Sequence, residues 1–393
     1  MQSLDAHTIE LNSRIVRGAV ELEPTARGLL PRRLPGWALE QNIDPMVERV
    51  TAEPSGVRLE FLTRAGVVEL EVYATAYAGE DWQPAFRTYD LVVDGVLHAQ
   101  ASATSGRVIQ VDPATRRQQV REGSTSALRF EDLPAGEKHV EIWLPNSERT
   151  ELVSLRADAP LAALNEDRAG AGQTRWLHHG SSISQGSDAA HPTGIWPAVA
   201  ARAAGVHLQN LGFGGQAVLD PFTARTLRET PADVITLKLG INLVNGDIMR
   251  RRAFTPAVHG FLDTIREGQH ASTPLVVVSP LHCAIHEQTP GALRYETVQG
   301  QPRFSALGDP AEVAQGRLSL EVIREDLAAV VAARQRRDEN LYFLSGLELF
   351  GAEDEQALPM PDQLHPDTAA HRLIGERFAQ RVFGPAGILA GRF

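Results

Sequence analysis

The chain has 393 residues, 43% hydrophobic and 22% charged, with a formal net charge of -11. That length allows two hydrophobic cores and that composition is globular; the acidic balance, with no basic run longer than Arg250-Arg251-Arg252, disfavours nucleic acid, which needs clustered cations. The single cysteine, Cys283, excludes an internal disulfide, and without a long apolar run or an apolar N-terminal segment the expectation is no membrane contact and a cytoplasmic location.

The first part of the chain, from about Val16 to Leu155, is written with a period near two. In Val67–Tyr73 the residues Val68, Leu70 and Val72 share one face, and Glu69 and Glu71 take the other. Asp90–Val96 reads as a strand entering an Asp94-Gly95 turn, and His139–Pro145 alternates again and stops at proline. Short strands separated by turns predict an all-β jelly roll or β-sandwich over residues 1–165. The Ala, Gly, Asp and Pro text from Asp158 to Gly172 reads as a linker.

From residue 174 to 393 strands and helices alternate. The predicted strands are Trp176–His179, Val206–Leu211, Val234–Leu239, Leu275–Val278 and Leu341–Leu344. The predicted helices are Ile195–Ala204 stopped by Gly205, Phe254–Arg266, Leu318–Arg336 and Thr368–Val382. That order gives an α/β domain with a five-stranded parallel sheet, whose ligand site lies at the carboxyl ends of the strands.

Those ends carry polar, glycine-rich text: Gly180-Ser181-Ser182, Asn210-Leu211-Gly212-Phe213-Gly214-Gly215, Gly240-Ile241-Asn242 and, before the last helix, Asp362-Gln363-Leu364-His365-Pro366. A serine needs a base to become a nucleophile, and a third group to orient that base. Ser182, His365 and Asp362 supply those types. Backbone N–H groups at Ser182 and Gly215 and the amide of Asn242 are suited to an oxyanion. Ser184 is an alternative nucleophile, and Ser187 and Asp188 read as helix-capping residues. His282 and His286, after the fourth strand, are expected to contact substrate, with core hydrogen bonding as the alternative. His178 and His179 with these make enough imidazole to consider a metal, but the spacing matches no metal-binding helix, so neither metal nor cofactor is expected. The segment from His282 to Arg317 is long for a connection and is read as a lid or specificity loop. Asp247, Arg250 and Arg251 are read as helix-end polarity, with contact to an anionic substrate as the alternative.

These four blocks resemble those of the SGNH, or GDSL-like, hydrolase superfamily over roughly residues 174–385, with Trp196-Pro197 as a further likeness. Ser181 stands where that family usually has aspartate. The resemblance implies a flavodoxin-like SGNH domain and a serine esterase that cleaves a small-molecule or sugar-like acyl ester through an acyl-enzyme. The two-domain layout resembles esterases of acylated sugars. The stretches Arg17–Glu23 and Gly28–Pro35 are similar to GDSL acyltransferases that tailor aromatic polyketides, so transfer to a natural-product hydroxyl is the alternative. Two other readings concern the sandwich: a carbohydrate-binding protein with a decayed catalytic half, or a platform for a homo-oligomer.

Overall fold

The computed structural model describes residues 7–42, 44–78, 85–111, 117–164 and 173–392. They group into two compact units. The first holds the described residues within 1–36, 48–172 and 191–193; the second those within 37–47, 173–190 and 194–393.

Among its described residues the first unit has an eight-stranded and a six-stranded sheet. The long strand Val68–Ala78 is central to the larger sheet, flanked by Arg149–Ala157, Ser126–Phe130 and Gly106–Val111. The smaller sheet runs through Arg58–Thr63, Lys138–Trp143, Thr88–Val93 and Val96–Ser102. Alternation places Val68, Leu70, Val72, Leu152 and Leu155 in one core with Leu59, Phe61, Leu91, Val140 and Ile142. Two sheets sharing one inner layer of apolar side chains is the sandwich that the period of two predicts. Asp94 and Gly95 both take positive φ, 49° and 80°, between Val93 and Val96. Such a turn matches the twist of its flanking strands. Within the segment read as a linker, Leu161–Ala162 is a strand that pairs with Arg58–Thr63. Its remainder from 165 onward lies outside the described residues.

The second unit is built on five parallel strands: β1 (Arg175–Gly180), β2 (His207–Gly212), β3 (Val234–Lys238), β4 (Leu275–Val278) and β5 (Leu341–Leu344). Their order is β2-β1-β3-β4-β5, the doubly wound arrangement whose switch point falls between β1 and β3. The helices α1 (Ser182–Gln185), α2 (Trp196–Ala204), α3 (Pro221–Glu229), α4 (Ile241–Asn245), α5 (Arg251–Arg266), α6 (Leu320–Gln335) and α7 (Thr368–Phe378) connect and cover them. Helix α2 has Pro197 in its first turn, where the missing N–H costs nothing, and ends on Gly205 at φ 65°. Trp176 of β1 stacks on Phe378 of α7 at 5.0 Å, and Trp196 of α2 closes the cluster at 5.0 Å from Phe378. Helix α5 begins at Arg251, one turn before the predicted start, with Arg250 at its N-cap. Charged residues at a helix start hide it from apolar periodicity. No helix among the described residues is long and apolar enough to cross a membrane.

The long connection after β4 is not an open loop. It contains a β-hairpin, Leu293–Val298 paired antiparallel with Gln301–Ala306, with Tyr295 opposite Phe304.

Candidate active site

Strand β1 ends at Gly180 and Ser182 opens α1. The chain turns sharply there because small residues allow it. A Cβ on Gly212 would stand 2.5 Å from the Gln185 nitrogen, and one on Gly180 would stand 2.3 Å from Ser184 Oγ. Asn210 of β2 holds α1 from below: its amide donates to the Ser184 carbonyl at 2.8 Å, and its side-chain oxygen accepts from the Gly212 N–H at 3.0 Å. Ser181 stands at the N-cap of α1 with its hydroxyl buried and, among the described residues, without a hydrogen-bond partner.

The Ser182 hydroxyl lies 2.9 Å from His365 Nε2, and His365 Nδ1 lies 2.6 Å from Asp362 Oδ2. Asp362 Oδ1 accepts the N–H groups of Leu364 at 2.8 Å and His365 at 2.7 Å. Gln363, at φ 70°, gives the tight turn that lets one carboxylate collect both amides and the ring. Burial alone pushes the Asp362 carboxyl up, but these hydrogen bonds outweigh it and hold it below its ordinary value. An ionised carboxylate accepts only, so Nδ1 carries the ring proton and Nε2 is free to accept from Ser182.

Gly215 follows β2 and Asn242 follows β3, at the carboxyl end of the sheet that also carries Ser182. Asn242, one residue into α4, is 2% exposed. Its Oδ1 accepts the Ala217 N–H at 3.1 Å, which fixes the amide's orientation, and its Nδ2 is buried without a partner among the described residues. A buried donor left unsatisfied is costly, and a ligand oxygen would remove that cost. Gly215 takes φ 74°, with open space where a Cβ would stand. Its neighbours are engaged, Gly214 N–H with Gln185 Oε1 at 2.7 Å and Gln216 N–H with Phe213 O at 3.1 Å.

The other expected site residues go elsewhere. Ser184 is fully buried, its hydroxyl 2.8 Å from His178 Nε2. His178, within β1, also meets Thr236 at 2.7 Å, and burial pushes its ring well below the ordinary value, so it is a neutral support of the nucleophile turn. Ser187 and Asp188 follow the C-cap Gly186 rather than capping a helix; the Ser187 carbonyl meets His371 Nε2 at 3.0 Å. His282 is paired with Glu355, and His286 is fully enclosed, with Nδ1 3.0 Å from the Thr289 carbonyl. Neither joins the hydrogen-bond chain of Ser182. Arg251 pairs with Asp326 at 2.7 Å, and Asp247 is taken by Arg317 at 2.7 Å and Arg250 at 3.3 Å, so these charges serve helix packing. Cys283 is buried, and burial pushes its thiol up, away from the reactive thiolate.

Two groups among the described residues bring three metal-type donors within 4.8 Å, Asp188-Asp362-His365 and, in the sandwich, Glu60-His139-Glu141. In the first, His365 already uses both ring nitrogens. In the second, the Arg58 guanidinium lies 3.7 Å from both Glu60 and Glu141 and supplies the cation itself.

One contact was not legible beforehand. The Phe304 ring meets the His365 ring edge-on at 5.8 Å, and the Phe304 N–H donates to the Asp362 carbonyl at 2.9 Å. It depends on the hairpin fold, which leaves no local trace in the sequence around His365.

The family model of GDSL-like lipases and acylhydrolases matches residues 179–373. Among solved structures the chain is similar to the salicylyl acyltransferase SsfX3 from a tetracycline biosynthetic pathway, with 25% identity, a TM-score of 0.77, and 97% of each chain covered. It is similar in fold to a candidate GDSL-like lipase of Bacteroides ovatus, at 18% identity and TM-score 0.64 over 95% of this chain and 96% of that one. It is also similar in fold to a family two carbohydrate esterase from Clostridium thermocellum, at 14% identity and TM-score 0.54 over 83% and 91%. A search of the curated proteins finds no match.

Proposed function

We propose, from the premise that residues 179–373 form a GDSL-like lipase/acylhydrolase domain, that the protein cleaves acyl esters through an acyl-enzyme on Ser182. The observation that carries this reading is the hydrogen-bonded chain Asp362–His365–Ser182, at 2.6 and 2.9 Å. His365 Nε2 takes the hydroxyl proton as Ser182 Oγ attacks the ester carbonyl. The carbonyl oxygen gains the charge, and the N–H groups of Ser182 and Gly215 with Asn242 Nδ2 stabilise it. The C–O bond to the alcohol then breaks, and the alcohol leaves with the proton from His365. A second hydroxyl, deprotonated by His365, attacks the acyl carbon; the bond from that carbon to Ser182 Oγ breaks, and Oγ takes the proton back from His365. Asp362 orients the ring and stabilises its cation throughout.

If the second hydroxyl is water the enzyme is an esterase; if it belongs to a bound alcohol the same steps make it an acyltransferase. Transfer to a natural-product hydroxyl is favoured by one observation, the likeness to SsfX3 across 97% of both chains, sandwich included. The test is a panel of acyl esters incubated with and without hydroxylated acceptors, read by mass spectrometry. Acylated acceptor formed in preference to free acid supports transfer. Free acid alone, whatever acceptor is present, supports hydrolysis. Neither product from any ester would overturn the acyl-enzyme reading.

A further inference from the structure

The hairpin Leu293–Val298/Gln301–Ala306 is fixed to the surrounding chain at its base and at Phe304. At its base, Gly291 packs against α4: a Cβ there would lie 1.8 Å from the Val244 carbonyl oxygen. Arg317, at the far end of the same insertion, binds the Gly291 carbonyl and Asp247, which lies just beyond α4. Farther out, the Phe304 N–H holds the Asp362 carbonyl and its ring abuts His365. The hairpin therefore spans from the helix carrying Asn242 to the loop carrying the acid–base pair.

Tyr295 stands opposite Phe304 in the ladder, their ring centroids 5.5 Å apart at 59°. Tyr295 is 61% exposed although it packs on a half-buried ring. Three rings thus run in sequence from His365 through Phe304 to solvent. Their direction has a chemical meaning. The oxyanion donors hold the carbonyl oxygen, whereas His365 Nε2 returns its proton to the oxygen of the departing alcohol. The alcohol carbon bonded to that oxygen accordingly lies near His365, the ring against which Phe304 packs.

Resting on the acyl-enzyme reading, we propose that Tyr295 is a specificity-determining residue for the alcohol half of the substrate, and that this half carries a flat unsaturated ring which stacks on it. Phe304 is the positioning residue beneath, holding both Tyr295 and His365. A tyrosine serving only to stabilise the hairpin would affect all esters alike, because cross-strand packing does not distinguish leaving groups.

The experiment compares 2-naphthylmethyl acetate with cyclohexylmethyl acetate on the full chain, so that the acyl group is shared and both leaving groups are primary alkoxides. For Tyr295→Ala the ratio of kcat/KM, naphthylmethyl over cyclohexylmethyl, falls about two- to tenfold, as expected for loss of one aromatic pair, with the change in KM. Tyr295→Phe restores it. An unchanged ratio, or equal losses on both esters, overturns the proposal. Labelling of Ser182 by a fluorophosphonate, measured on the same samples, separates the two claims. Labelling with an unchanged ratio defeats only the role of Tyr295, whereas a wild type that is not labelled at Ser182 defeats the acyl-enzyme reading and this inference with it.

Discussion

Asn242 shows how much one side chain can state. The Ala217 N–H occupies its oxygen, which leaves its buried nitrogen as the donor not used among the described residues. Asn242→Ala is predicted to lower kcat by about 10²–10³ with little change in KM, because the donor matters most when negative charge develops; steady-state kinetics on a chromogenic acetate check this, and a loss confined to KM would move Asn242 out of the oxyanion site. Ser182, His365 and Asp362, which hydrogen bonds join in the structure, stood out because each follows a strand or precedes the last helix, where a doubly wound sheet places its ligand. His282 and His286 stand at the same end, yet their rings turn to Glu355 and to the Thr289 carbonyl. Position along the chain does not fix where a ring points; packing does.

At the level of elements, the nucleophile turn depends on how closely β2 approaches α1. Gly212→Ala would place a methyl 2.5 Å from the Gln185 nitrogen and the Ser184 carbonyl carbon, both backbone atoms that cannot rotate away. The expected cost is about 1–3 kcal/mol, as for other overpacked sites, with Ser182 reacting more slowly with a fluorophosphonate as α1 shifts. Thermal melts and labelling rates read both effects, and a variant equal to wild type in each would show that the turn tolerates displacement. The five strands were legible because runs such as Leu275–Val278, buried on both faces, leave a plain apolar signal. The hairpin was not, because its strands are largely exposed and alternate no buried face. Its order comes from Arg317, Gly291 and Phe304, contacts made with distant segments.

For the whole molecule, the sandwich and the α/β unit were each legible from their periods, but the path of the chain between them was not. Residues 37–47 group with the second unit and residues 191–193 with the first, an exchange that no composition change marks. The short segment 191–193 matters to the sandwich. Asp90, fully buried in it, accepts from Thr193 Oγ1 at 2.6 Å, the Thr193 N–H at 2.9 Å and Gln100 at 2.7 Å, and pairs with His191 Nδ1 at 2.7 Å. Burial raises the Asp90 carboxyl, but the hydrogen bonds from His191, Thr193 and Gln100 outweigh it and leave it lowered. A carboxyl lowered in the folded state contributes stability that is complete above its unfolded pKa and is lost as pH falls through the folded one. Asp90→Ala is predicted to destabilise the protein at neutral pH by on the order of 3 kcal/mol, since several buried donors lose their acceptor. The difference from wild type should shrink as pH falls below about 4. Denaturant titrations at neutral and acid pH test this, and a difference independent of pH would show that Asp90 acts by shape rather than charge.

The central claim is that Ser182, activated by His365, is the atom that becomes acylated. Its most direct measurement is fluorophosphonate labelling of wild type, Ser182→Ala and His365→Ala, with the adduct located by peptide mass spectrometry. The account predicts one adduct, on Ser182, in the wild type, none in Ser182→Ala and strongly slowed labelling in His365→Ala. An adduct on Ser184, Cys283 or any other residue, or labelling that persists without Ser182, would contradict it.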